Sequence, residues 1–174
     1  MVVPYDPANV TEAGRHFDQA ELAILLAEGE GTMLEYKESL SASFARELVA
    51  LANTVGGKIL LGVRDDRIVA GITDSNELRA RIQDYARNCD PPVKVLVQRV
   101  REVTVVHVQE SEAKPVQCSD GFFWRQGSTT QKLSRGEIRD FFRSEGHIRF
   151  DLSPCSSFRY PQDSTGRSTW RGCA

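Results

Sequence analysis

The chain has 174 residues, enough for one domain with a core of its own, and its 40% hydrophobic and 26% charged residues are ordinary for a soluble globular protein. A formal net charge of −2 argues against a surface that binds nucleic acid all over, although 22 Lys and Arg leave room for a local basic face. There is no apolar run of about 18 residues to span a membrane, and the start, MVVPYDPANVTEAGR, lacks the basic-then-apolar pattern of a secretory signal, so a cytoplasmic location is expected.

Residues 1–18 read as an N-terminal lead-in. Asp18 with Glu21 has the form of a capping box, and Leu22, Leu25 and Leu26 repeat at helical spacing until Gly29, which predicts a helix over 19–28. MLEYK (33–37) alternates apolar and polar residues and reads as a strand. SFARELVALANT (43–54) places Phe44, Leu48, Leu51 and Ala52 on one helical face. Gly56 and Gly57 break that helix, and KILLGV (58–63) is a short apolar strand suited to the middle of a sheet.

The turn RDDR (64–67) leads to IVAGI, predicted to pair back as the second strand of a hairpin. Asp74 and Glu77 again have the capping-box form. Leu78, Ile82 and Tyr85 then repeat at helical spacing up to Asn88, and Asp90-Pro91-Pro92 ends the helix. Two valine-rich strands follow, VKVLVQRV and REVTVVHVQ, joined near Arg99 to Arg101. PVQCSDGFFWRQG forms a further hairpin turning at Asp120-Gly121. Ser134 caps a last helix through Glu137, with Ile138, Phe141 and Phe142 on its inner face.

This order predicts an α+β fold: a largely antiparallel sheet built from hairpins, packed with about four helices. Residues 19–146 form one domain in this reading. Residues 147–174 carry Ser, Thr, Pro, Arg and Gly without a period and read as a tail, a linker or the truncated start of a further domain. Cys89, Cys118, Cys155 and Cys173 are far apart, with no Cys-x-x-Cys pair and no histidine at ligand spacing. Neither a disulfide framework nor a zinc site is expected.

Gly56-Gly57 supplies a left-handed helix cap or lets the backbone approach a ligand closely. No GxxxxGK[ST] and no GxGxxG is present, which excludes a P-loop or Rossmann nucleotide site. The acids are more suggestive. Exposed carboxylates usually form a solvated face, but Asp65 lies just past an apolar strand, where functional groups are often presented. If MLEYK pairs beside KILLGV, Glu35 and the turn at Asp65 converge, and Glu30 can reach back from a loop made pliable by Gly29 and Gly31. Three converging carboxylates repel unless a cation sits between them; Mg²⁺ or Mn²⁺ fits oxygen ligands and would hydrolyse phosphodiesters by activating water. Lys37 would hold a phosphate oxygen.

In WRQGSTT (124–130), Arg125 would contact a phosphate, with Ser128, Thr129 and the Gly127 backbone as further donors. Phe122, Phe123 and Trp124 alternate on a strand, so some are core and one can offer a stacking surface for a base. Arg79, Arg81, Arg87, Lys94, Arg99 and Arg101 form either a basic stripe or scattered solvated charge.

LEYKESL, ELVALANTVGGKILLGVRDD, IVAGI, KPVQ and FFWRQGSTTQKLS together resemble the Schlafen AlbA-like domain family over about 30–144. That resemblance implies an α+β fold and a nucleic-acid-binding role on DNA or RNA, in prokaryotes often at the N-terminus of transcriptional regulators. In animal Schlafen proteins it implies a divalent-metal-dependent endoribonuclease acting on structured RNA such as tRNA. The family's two glutamates and aspartate fall on Glu30, Glu35 and Asp65. Leu51 stands where an aromatic is usual and Arg64 where an acid is common, and like-charge repulsion from Arg64 would weaken a bound cation. The animal nucleases use a duplicated, horseshoe-like arrangement with a zinc site. This chain holds one copy, and a homodimer would supply the second. Three readings stay open: a binding module without catalysis, a ribonuclease, and an oligomerising or nucleotide-sensing module.

Overall fold

The computed structural model describes residues 19–144. The lead-in 1–18, including the Asp18 half of the first capping box, and the segment 147–174 lie outside the described residues. The first helix, α1, is Gln19–Glu28, followed by β1 at Leu34–Lys37, α2 at Phe44–Asn53 and β2 at Gly57–Leu61. Helix α3 covers Asn76–Arg87, and a hairpin of β3 (Val95–Val100) and β4 (Val103–Val108) follows. The chain continues with β5 (Gln117–Cys118), β6 (Gly121–Gln126), β7 (Thr129–Lys132) and α4 (Arg135–Ser144).

Two sheets result. One has four strands in the order β1-β2-β4-β3, and the other is the meander β5-β6-β7. The fold is α+β and mostly antiparallel, as expected. The exception is β1, which pairs in parallel with β2, Glu35 opposite Ile59 and Tyr36 opposite Leu60. The connection through α2 is what a parallel neighbour requires.

The apolar run of β2 is read by both sheet faces. Ile59 and Leu61 pack with Phe44, Leu48 and Leu51 of α2 and Leu78 and Ile82 of α3. Leu60 turns the other way, to Leu34, Tyr36, Val103, Val105 and Leu22 of α1. Successive side chains of a strand point to opposite faces, so a strand covered on both sides carries no polar alternation.

The glycine pair after α2 forms the helix cap and a tight backbone junction with the start of β1. Gly56 has φ +73° and its N–H reaches the Leu51 carbonyl at 2.9 Å. A Cβ on Gly57 would stand 2.4 Å from the Met33 carbonyl oxygen, at the point where β1 and β2 begin to pair.

Three sequence expectations are corrected. IVAGI is not a strand: beyond the turn only a single bridge joins Val63 to Val69. Gly62, Arg67 and Gly71 have φ of +95°, +68° and +78°, and the N–H groups of Ala70 and Gly71 both converge on the Gly62 carbonyl, so no ladder propagates. Helix α3 is capped by Ser75, whose side chain accepts from the Leu78 N–H. Asp74 instead takes Arg79 in a forked pair at 2.9 and 2.6 Å. The segment after Gly127, for which the sequence suggested a strand edge and loop, is a full strand, β7, paired along β6 from Gln126–Thr129 to Phe123–Lys132. At α4 the expected reciprocal cap is present, with Glu137 Oε2 accepting from Ser134 N at 2.8 Å and Ser134 Oγ from Glu137 N at 3.4 Å.

Candidate functional site

Strand β1 sends Leu34 and Tyr36 into the cluster under α1, so Glu35 and Lys37 face α2 and the small sheet. Glu35 is thereby buried, at 5% exposure. A buried carboxylate needs charged or hydrogen-bonding partners. Strand β6 supplies one, because its alternation turns Phe123 and Arg125 inward together, and Arg125 is 2% exposed.

The Arg125 guanidinium is the hub of the site. Its Nη1 donates to Glu35 Oε2 at 2.6 Å and to Thr130 Oγ1 at 3.0 Å. Its Nη2 donates to the carbonyls of Gly31 at 2.6 Å and Leu34 at 3.2 Å. One side chain thus ties β6 to β7, to β1 and to the turn before β1. The second oxygen of Glu35 accepts from Lys37 Nζ. Burial pulls the Lys37 ammonium down, but the bond and charge of Glu35, with Glu47 and Glu30 behind it, hold it above its ordinary value.

Glu47 of α2 completes the group. It lies on the apolar face of its helix, three residues after Phe44 and four before Leu51. Its Oε2 accepts from the Thr130 hydroxyl and sits 3.5 Å from Arg125 Nη1. Burial pushes its carboxyl above the usual range; the Thr130 bond pulls the other way, and the nearby Glu35 charge adds to the rise. Two carboxylates and two cations therefore form one partly closed network, with Lys37 its most exposed member at 25% of the side chain.

Asn53 holds the small sheet against α2 by a second device. Its Nδ2 donates to the carbonyls of Val116 and Phe123, both at 2.9 Å, and its Oδ1 accepts from the Val116 N–H at 2.7 Å. Thr54 adds its hydroxyl to the Arg125 N–H at 3.2 Å.

The residues singled out in the sequence do not all share one place. Glu35, Lys37 and Arg125 meet, but Arg125 is turned inward rather than toward a phosphate. Glu30 works on the outer edge of β1, where its Oε1 accepts from the Tyr36 N–H at 2.9 Å. Together with Arg125 on the Leu34 carbonyl, it satisfies an edge that would otherwise invite another strand. Asp65 lies exposed on the turn after β2. That turn hangs from the end of β1, with Gly62 N and Val63 N donating to the Lys37 carbonyl at 2.8 and 3.2 Å, and Arg67 Nη1 reaching Ala27 O at 3.1 Å. Ser128 and Thr129 are exposed at the β6–β7 turn. Of the arginines in the third helix and the β3–β4 hairpin, Arg79 is held by Asp74 and Arg99 by the Ile72 and Arg101 carbonyls.

This arrangement does not fit a divalent cation held by Glu30, Glu35 and Asp65. Both oxygens of Glu35 are taken by cationic side chains, and one oxygen of Glu30 serves a backbone N–H. Among the described residues no three His, Cys, Asp or Glu side chains gather as a ligand set.

The fold agrees with the comparisons to known proteins. The family model for Schlafen, AlbA_2 matches residues 30–134, and the chain belongs to that family. The match begins at Glu30 and ends at Ser134, so it takes in Glu35, Glu47, Asn53 and Arg125. Membership is consistent with a nucleic-acid-related domain. The fold is similar to that of the crystal structure of the DIP2311 protein from Corynebacterium diphtheriae, with TM-score 0.51 and 21% identity over 72% of this chain. The likeness covers 28% of the DIP2311 chain. No curated protein matches this chain. No described helix is long and apolar enough to cross a membrane.

Proposed function

We propose that the chain is a nucleic-acid-binding domain of the transcriptional-regulator type, acting without catalysis. The observation that carries this reading is the occupancy of Glu35, whose oxygens are bonded to Lys37 and Arg125. A carboxylate committed to two cations serves the architecture. Lys37, with a quarter of its side chain exposed, supplies a point charge for a phosphate oxygen, and Ser128 and Thr129 supply hydroxyls from the β6–β7 turn. Arg125 acts as a positioning residue that fixes this turn beside β1. The alternative, a metal-dependent endoribonuclease acting on structured RNA, would require Glu35 to leave both partners and Asp65 to swing in from its turn.

Gel retardation of labelled transfer RNA and of duplex DNA tests the reading. Retardation that weakens steeply between low and physiological salt is expected, because released counterions drive phosphate binding. Lys37→Ala and Ser128→Ala/Thr129→Ala should each weaken it. No retardation of either nucleic acid at low salt would end the proposal.

A further inference from the structure

Strand β6 has a second face that the network under α2 does not use. Phe123 and Arg125 point inward, which leaves Phe122 and Trp124 on the outside, under α4. Helix α4 meets them edge-on, Phe142 against Phe122 with centroids 6.0 Å apart at 77°, and Phe141 against Trp124 at 5.4 Å and 89°. This is a thin cover. No residue of α4 is buried, and all four rings stay only half-buried. The helix also carries Arg135, Arg139 and Arg143 at four-residue intervals, which places them in one stripe along the flank of the aromatic seam. Of its two acids, Glu137 is used in capping Ser134, and Asp140 lies 3.5 Å from both Arg139 and Arg143 in an exposed contact of little strength.

We propose that this seam is a stacking platform for unpaired nucleotides, giving the domain a preference for single strands over duplex. The proposal rests on the nucleic-acid-binding reading above and names a second part of its interface. Charge complementarity selects the occupant, for the chain is acidic as a whole at −2 while α4 has three arginines against two acids. A polyanion with exposed π-faces matches half-buried rings bordered by guanidinium groups, each stacked base adding to the phosphate contacts. Paired bases in a duplex present their edges and cannot lie on the seam.

The test uses the full chain with Trp170→Phe, which leaves Trp124 as its one tryptophan. Anisotropy of labelled oligo(U), oligo(dT) and a duplex of equal length reports binding, and Trp124 emission reports the seam. Single strands are expected to bind more tightly than duplex and to quench Trp124. Arg135→Ala/Arg139→Ala, both exposed changes, should weaken single-strand binding about tenfold and flatten its salt dependence. Binding with unaltered Trp124 emission and unaltered affinity in the double variant overturns the platform and leaves the binding reading standing, as does a preference for duplex. Absence of binding to all three ligands removes both. If light scattering instead shows a dimer that Trp124→Ala dissociates without affecting strand binding, the seam belongs to a second copy of the chain and the proposal fails.

Discussion

Arg125 Nη1 stands 2.6 Å from Glu35 Oε2 across 90 residues of sequence, both side chains almost completely removed from water. This pair joins the small sheet to the edge of the large one. The same guanidinium closes the Gly31 and Leu34 carbonyls, so the contact is as much a backbone clamp as an ion pair. The clamp consumes Glu35 and Arg125 and leaves Lys37 as the most exposed charge of the network.

Removing one half of the clamp should be costly. Arg125→Met leaves Glu35 buried with a lone ammonium partner and takes the guanidinium donor from the Gly31 and Leu34 carbonyls, which keep only each other's N–H, and a loss of about 3–5 kcal/mol in unfolding free energy is expected. Glu35→Met in the same background should restore part of that loss, since an apolar pair strands no charge. Urea unfolding of the two single variants and the double variant measures the coupling. Strictly additive losses would show that the two side chains do not act as a unit.

Glu47 gives the network a pH signature. Burial raises its carboxyl above the usual value, so the folded chain holds that proton more tightly than the unfolded chain does. Its contribution is fully present below the ordinary glutamate value and is lost as pH rises through the folded one. Glu47→Gln cannot ionise and keeps a partner for Thr130. The stability of this variant relative to the natural chain should therefore increase from pH 4 to pH 7, measured by urea unfolding at each pH. A difference independent of pH would contradict the burial argument.

The glycine that starts β2 and the one at the hairpin tip should respond differently. Gly57→Ala drives a methyl into the Met33 carbonyl, where strand pairing fixes the backbone, and should cost about 3 kcal/mol or more. Gly127→Ala meets open space and bears only the strain of φ +59°, about 1–2 kcal/mol. Thermal unfolding of the two variants compares them directly, and an equal loss would mean that the close approach at Gly57 is not the constraint.

Asn53→Ala removes the partners of two carbonyls and one N–H in a buried place. Each stranded group costs about 1–3 kcal/mol. The small sheet should loosen before the large one. Hydrogen exchange should then show lost protection in β5 and β6 with β2 and β4 retained. Uniform loss would mean that Asn53 supports the whole core.

The elements were legible because their periods are strong: α2 shows its apolar face, β2 its apolar run, and Ser134 with Glu137 its cap. What escaped were features decided by tertiary contacts. IVAGI has the composition of a strand, but positive φ at Gly62 and Gly71 takes the chain out of the ladder. Thr129–Lys132 is polar and short, and only its pairing with β6 makes it a strand. At the site, FFWRQ places bulky residues on both faces of β6, so alternation alone could not say whether Arg125 points in or out. Arginines are mostly exposed, and that expectation put it on the surface. Glu47 left a usable signal, an acid in the middle of an apolar helical face, and such a residue in a core needs a cation. The resemblance matches Glu30 and Asp65 to acidic positions, but spacing along the chain does not show that one would serve a strand edge and the other remain on an exposed turn.

In the proposed function Glu35 is an internal counter-ion in a domain that binds nucleic acid without cutting it. The most direct measurement is a time course of end-labelled transfer RNA with the full chain, with and without Mn²⁺, read on native and denaturing gels. Retarded but intact RNA under both conditions is the predicted result. Fragments that require Mn²⁺ and disappear in Asp65→Ala, an exposed substitution that leaves the clamp untouched, would contradict it.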